Sequence, residues 1–156
     1  MTDAGPGMPD DDLLRLNALD AEDLAVLSAH VQDAVLRVQD INWLPREQHF
    51  VLAMNRFVWE AAAGGSWRKR DYQRRRSVLH FARVEKVQSV GIDRQAMEAV
   101  LELLAISFEP GDAPSGDVVL DFAGGAAIRL KVEVLEVELT DLGPAWSTPV
   151  APRHVL

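Results

Sequence analysis

Residues 117–132 read DVVLDFAGGAAIRLKV. Val118, Leu120 and Phe122 alternate on the way to Gly124–Gly125, and Ile128, Leu130 and Val132 alternate away from it. Strand side chains point to opposite faces in turn, so this pattern describes two strands with one apolar face each. Two glycines between them supply the positive φ angles of a tight type I′ turn, because they carry no Cβ to clash. The stretch is therefore a β-hairpin, and its covered apolar face implies an antiparallel sheet packed on a core. Beyond Val134 the apolar parity changes to Leu135, Val137 and Leu139, which predicts a bulge or bend.

Upstream, Phe50, Leu52 and Met54 oppose Val51, Ala53 and Asn55 in FVLAMN, a strand apolar on both faces and hence central. Leu36 and Val38, followed by Ile41 and Trp43, predict a strand before it, with the return at LPRE (44–47). SVLHFARVEKVQSVGI (77–92) and LELLAISFE (101–109) read as further strands, the second with Leu104, Ile106 and Phe108 on one side. LLRLNALD (13–20) supplies a short first strand. Asp20 then caps a helix over 21–34, with Glu22 and Asp23 in its first turn and Leu24, Leu27, Ser28, Val31 and Ala34 on one stripe. Both halves end in a long strand whose parity changes near its middle, the pattern a diverged duplication would leave.

These elements predict an α+β domain over 13–147, with about seven mainly antiparallel strands in a curled sheet or barrel and one helix packed near the N-terminus. A pleckstrin-homology-like barrel is one allowed variant. Residues 1–12, rich in Asp, Gly and Pro, are expected to be a disordered acidic tail, and 148–156 an extended C-terminal tail.

With 156 residues, 48% of them hydrophobic, the chain supplies one core comfortably. No run approaches the ~20 apolar residues needed to span a bilayer, and the N-terminus lacks the basic start and apolar stretch of a secretory signal. Without cysteine there are no disulfides, thiolate nucleophiles or Cys-ligated metals. The expectation is a cytoplasmic protein with no membrane association.

The charge is uneven. The chain carries 16 Lys+Arg against 24 Asp+Glu, a net −8. WRKRDYQRRR (67–76) alone holds six cations and one acid, or +5, which leaves −13 for the remainder. Within a Debye length of ~8 Å such a cluster dominates its surroundings. Trp67, Arg68, Lys69, Arg70, Tyr72, Arg74, Arg75 and Arg76 are accordingly the candidate partner-binding residues. Cations would attract an acidic protein surface, and the two aromatics would stack or bury. The competing explanation is a solvated loop that guards a strand edge. No nucleic-acid-binding motif accompanies the run, and the acidic remainder repels a long polyanion, so a protein partner is preferred to nucleic acid.

Other chemistries find little support. His30, His49, His80 and His154 form neither an H-x-x-x-H nor an H-E-x-x-H pattern. No serine sits in a G-x-S-x-G elbow, and the glycine pairs at 64–65 and 124–125 spell no phosphate-binding loop or dinucleotide fingerprint. Asp117, Asp121, Glu133 and Glu136 alternate with apolar residues, as on a solvated sheet face. No catalytic residue, metal ligand or cofactor is therefore expected. The principal functional expectation is a non-enzymatic binding or adaptor domain using the basic loop at 67–76. The alternative is a small-molecule-binding or catalytic barrel with a pocket between helix 21–34 and the sheet.

The runs ALDAEDLAVLSAHVQDAV, FVLAMNRFVWE and LLAISFEPGDAPSGDVVLDFAGGAAIRL, with the later DLGPAW, together resemble the alphaproteobacterial domain-of-unknown-function family numbered 2948. The resemblance covers roughly residues 14–147. It implies one small domain in a bacterial cytoplasm, and it implies no activity and no site residue.

Overall fold

The hairpin at 117–132 forms as its alternation predicts. The computed structural model describes residues 13–58, 72–143 and 146–148. In it strands β8 (Gly116–Phe122) and β9 (Ala127–Val132) pair antiparallel, with Val118 opposite Leu130 and Leu120 opposite Ile128. All four side chains are buried, together with Phe122 and Val132. Gly124 and Gly125 both adopt positive φ, 85° and 87°. The turn takes three residues, Ala123–Gly125, where two were expected. The extra residue lets Phe122 donate its N–H to Ala126 O (2.9 Å) while both keep to the buried side.

Around this hairpin lie β1 (Arg15–Ala18), helix α1 (Ala21–His30), β2 (Val35–Arg37), β3 (Ile41–Leu44), β4 (His49–Phe57), β5 (Tyr72–Phe81), β6 (Val84–Val90), β7 (Val100–Pro110), β10 (Val137–Asp141) and β11 (Trp146–Thr148). The eleven strands form one antiparallel sheet in the order β1-β10-β5-β4-β2-β7-β8-β9-β6, with β3 on β4 and β11 on β5. Among the described residues the class is α+β with one α-helix, and the sheet does not close into a barrel. The count exceeds the expected seven because β2, β3 and β11 span only three or four residues each, too short to show alternation of their own. A 3₁₀ turn at Val38–Asp40 separates β2 from β3, where the sequence suggested one strand.

The two parity changes have a common cause. The chain bends between β5 and β6 at Ala82–Arg83, where Arg83 takes φ 59°, and between β9 and β10 at residues 133–136. The bends face each other: Ala82 N–H donates to Glu136 O and Glu133 N–H to Arg83 O, both at 3.0 Å. On either side β5 pairs with β10 and β6 with β9, so two long neighbouring strands turn the corner together. Partnership across a shared bend accounts for their similar pattern, with no duplication required. The core lies between the curled parts, where Phe50, Leu52, Leu79, Phe81, Leu120, Leu130, Val137 and Leu139 are buried.

Asp20 caps α1 by accepting from Asp23 N–H (2.8 Å), and Glu22 and Asp23 lie in its first turn. The helix stops at His30, four residues before its expected end, because Asp33 turns out at φ 66°. Asp33 N–H then donates to Leu103 O (2.7 Å), and Leu103 N–H to Ala34 O (2.9 Å), which ties the exit to β7. Leu24, Leu27, Val31 and Ala34 are nonetheless all buried. In β7 a register shift between Leu103 and Ala105 buries Leu103 and leaves Leu104 43% exposed, reversing the expected side for that residue.

Candidate functional site

The basic run divides at Tyr72. Residues 67–71, with Trp67, Arg68, Lys69 and Arg70, lie outside the described residues, as do Trp59, residues 1–12 and 149–156, and the side chains of Tyr72 and Trp146. From Tyr72 onward the run is strand β5, not loop, and is paired on both sides: Arg76 opposite Asn55, Arg75 opposite Arg56 and Arg74 opposite Phe57 on β4, and Arg74 opposite Trp146 on β11. Arg74 and Arg75 are buried at 7% and 4% exposure. Charges in such a position need internal partners, and the fold provides them.

One set of partners lies inside. Met54, Ser77 and Asp141 form the row that follows Leu52, Leu79 and Leu139 across the inner faces of β4, β5 and β10. Arg56 is next on the same parity of β4 and is fully buried. Its Nε and Nη2 donate to Asp141 Oδ1 and Oδ2, both at 2.9 Å, the bidentate fork that suits guanidinium and carboxylate. Ser77 Oγ donates to Asp141 Oδ1 at 2.6 Å and Leu14 N–H to Oδ2 at 2.9 Å. Arg75 Nη1 lies 3.7 Å from Oδ2. Burial alone would raise the Asp141 carboxyl, but Arg56, Ser77 and the Leu14 amide outweigh it and hold the group below its ordinary value. So engaged, Asp141 works as a brace joining four chain segments.

A second set lies on the opposite face. Arg74 and Arg76 share the outer parity of β5, and Asn55, Val35 and Glu102 stand in one row across β4, β2 and β7. Arg76 Nη2 reaches Asp40 Oδ1 and its Nη1 reaches Asn55 Oδ1, each at 3.2 Å, and Arg74 Nη1 donates to Asn55 O at 3.4 Å. Burial pulls the Arg74 guanidinium below its ordinary value against the opposing charges of Asp33 and Glu102. Burial, a hydrogen bond to Asp33 and that group's charge raise Glu102, with Arg74 opposing. Val35, Arg37, Gln39, Asp40, Asn55 and Arg76 line a cleft of about 230 Å³ here, small for a ligand and bordered by the Arg76–Asp40 ion pair.

The interface between α1 and the sheet is packed. Leu24 and Leu27 fill it, and Ser28 Oγ accepts from Ile106 N–H at 2.9 Å. A roomier cleft lies elsewhere, about 540 Å³ between the inner faces of β3 and β6, floored by Phe50 and Ile128. His49 and His80 meet edge to face at 4.4 Å on the outer side of β4 and β5. Burial and the His49 charge depress His80, against Glu138 and Glu136. Among the described residues no group of three His, Asp or Glu side chains is placed to hold a metal ion. No described helix is long and apolar enough to cross a membrane.

Sequence reasoning overlooked Arg56, Ser77 and Asp141. The signal was present: each continues the buried parity of its strand, and a charge on that parity implies a buried partner.

The family described as Protein of unknown function (DUF2948) matches residues 14–154, and the chain belongs to it. No curated protein matches the chain, and no solved structure does.

Proposed function

We propose that this member of the DUF2948 family is a non-enzymatic binding or adaptor domain of the cytoplasm. Its partner is an acidic protein surface, and its docking residues are Trp67, Arg68, Lys69 and Arg70, which precede β5 in the sequence. The observation that carries this reading is the spacing of the rung between Phe57 and Arg74. Strands β4 and β5 are hairpin neighbours, yet residues 58–71 separate them, far beyond the two to five residues that join most hairpins. Long connections on a rigid sheet are where binding residues concentrate. This one carries half the cations of the run, while Arg74 and Arg75 are buried and Arg76 pairs with Asp40. The acidic remainder of the chain favours a compact acidic surface over an extended polyanion.

The test is affinity capture with the full chain at low and high salt, in parallel with the variant Arg68→Gln/Lys69→Gln/Arg70→Gln. Wild type should recover a partner whose binding weakens with salt, chiefly through the on-rate. The variant should lose it. Equal recovery by both would remove the connection from the account.

A further inference from the structure

The sheet path ends on β6, and β3 hangs from β4 without a second neighbour among the described residues. These two edges border the same cleft. Val87 and Ser89 of β6 share their face with buried Leu130 and Ile128, and Ile41 and Trp43 of β3 share theirs with Leu52 and Phe50. All four side chains of β3 and β6 line the cleft of about 540 Å³, so it is the seam where the curled sheet fails to close.

The seam has the features of a strand acceptor. An edge strand turns alternate N–H and C=O groups away from its one partner, and natural proteins block such edges with charges, bulges or proline. In β6 those devices stop early: Glu85, Lys86 and the register shift between Val84 and Lys86 occupy its first half. The half beside the cleft, VQSV (87–90), carries no charge and no proline. Met97, in the loop after β6, lines the cleft and is 50% exposed, with Arg94 beside it on the lining. A small ligand would use the cleft and leave the backbone edge, unpaired among the described residues, unexplained. An extended chain uses both, because every second side chain enters the cleft while its backbone pairs with the edge.

We propose that the seam between β3 and β6 binds an extended peptide by strand addition to residues 87–90, with apolar side chains at alternate positions entering the cleft. This proposal does not depend on the reading given to the 58–71 connection. An adaptor with both would join two protein partners.

The probe is a random peptide library displayed on phage and selected on the immobilised full chain. Enriched sequences should carry apolar residues at every second position. The corresponding synthetic peptides should lose binding on N-methylation at every second backbone nitrogen, the signature of a ladder. Val87→Lys should weaken them at least about tenfold, equivalent to ~1.4 kcal/mol. Lys131→Gln, on the opposite face of β9, should leave them unchanged. Should Val87→Lys fail to unfold cooperatively, Ser89→Glu on the same wall reads the same contact from an exposed position. No enrichment, enriched peptides without alternation, or indifference to N-methylation would each overturn the proposal.

Discussion

Replacing Asp141 with Asn changes one atom and tests the buried brace. Asp141 accepts from Arg56 twice, from Ser77 and from Leu14 N–H, all within 2.9 Å. Asparagine keeps one acceptor and presents an NH₂ in place of the other, so a donor faces a donor. The larger effect is electrostatic. The Arg56 side chain has no solvent exposure and would keep its charge opposite a neutral amide. Removing one member of a buried pair typically costs ~3–5 kcal/mol, against a total stability of ~5–15 kcal/mol for a domain. Urea unfolding should therefore show a large fall in midpoint with little change in slope. Arg56→Met should cost less, because Asp141 retains Ser77, Leu14 N–H and the nearby Arg75. Acid unfolding adds a second reading. A carboxyl held below its ordinary 3.8 stabilises the fold at pH above that value, and the contribution is lost as pH falls through the folded-state value. Asp141→Asn should flatten that acid limb. A stability within ~1 kcal/mol of wild type would refute the brace, since Arg56 would then have to be solvated or otherwise neutralised.

Two further outcomes follow from local geometry. Gly125→Val should destabilise by ~1–3 kcal/mol, because the position has open space around it but a φ of 87° that a β-branched residue resists; an unchanged urea midpoint would contradict the turn. His80 is held below its ordinary 6.5, so its neutral form favours folding above that pH and stability falls as the pH drops through it; His80→Gln should shallow the dependence of the unfolding midpoint across this range.

Much of the fold is legible in alternation. The hairpin, central strand β4, the helix cap and the parity breaks all follow from side-chain period, because each side of a strand meets a different solvent. Elements of three or four residues are not legible, since tertiary pairing and not local pattern decides them. Leu104 was misplaced for a related reason: a bulge moves a residue to the other face without altering the composition around it. Proximity in sequence makes the charged residues look like a single group. Arg74, Arg75 and Arg76 look continuous with Arg68–Arg70, yet strand pairing turns successive side chains to opposite faces, Arg75 toward Asp141 and Arg74 and Arg76 toward Asp33, Glu102 and Asp40. Their acids lie far away in sequence, so no window around the run reveals them. Parity does mark Arg56, Ser77 and Asp141 as inward, and reading it for polar residues as well as apolar ones would have found the brace.

The division of the basic run between scaffold and docking surface is tested most directly by urea unfolding of two triple glutamine variants measured side by side. Arg74→Gln/Arg75→Gln/Arg76→Gln should lose several kcal/mol, because it removes two buried guanidinium groups with their packing and the Arg76–Asp40 ion pair, while Arg68→Gln/Lys69→Gln/Arg70→Gln should stay within ~0.5 kcal/mol of wild type. Equal losses in the two variants, or a harmless change at 74–76, would contradict the account.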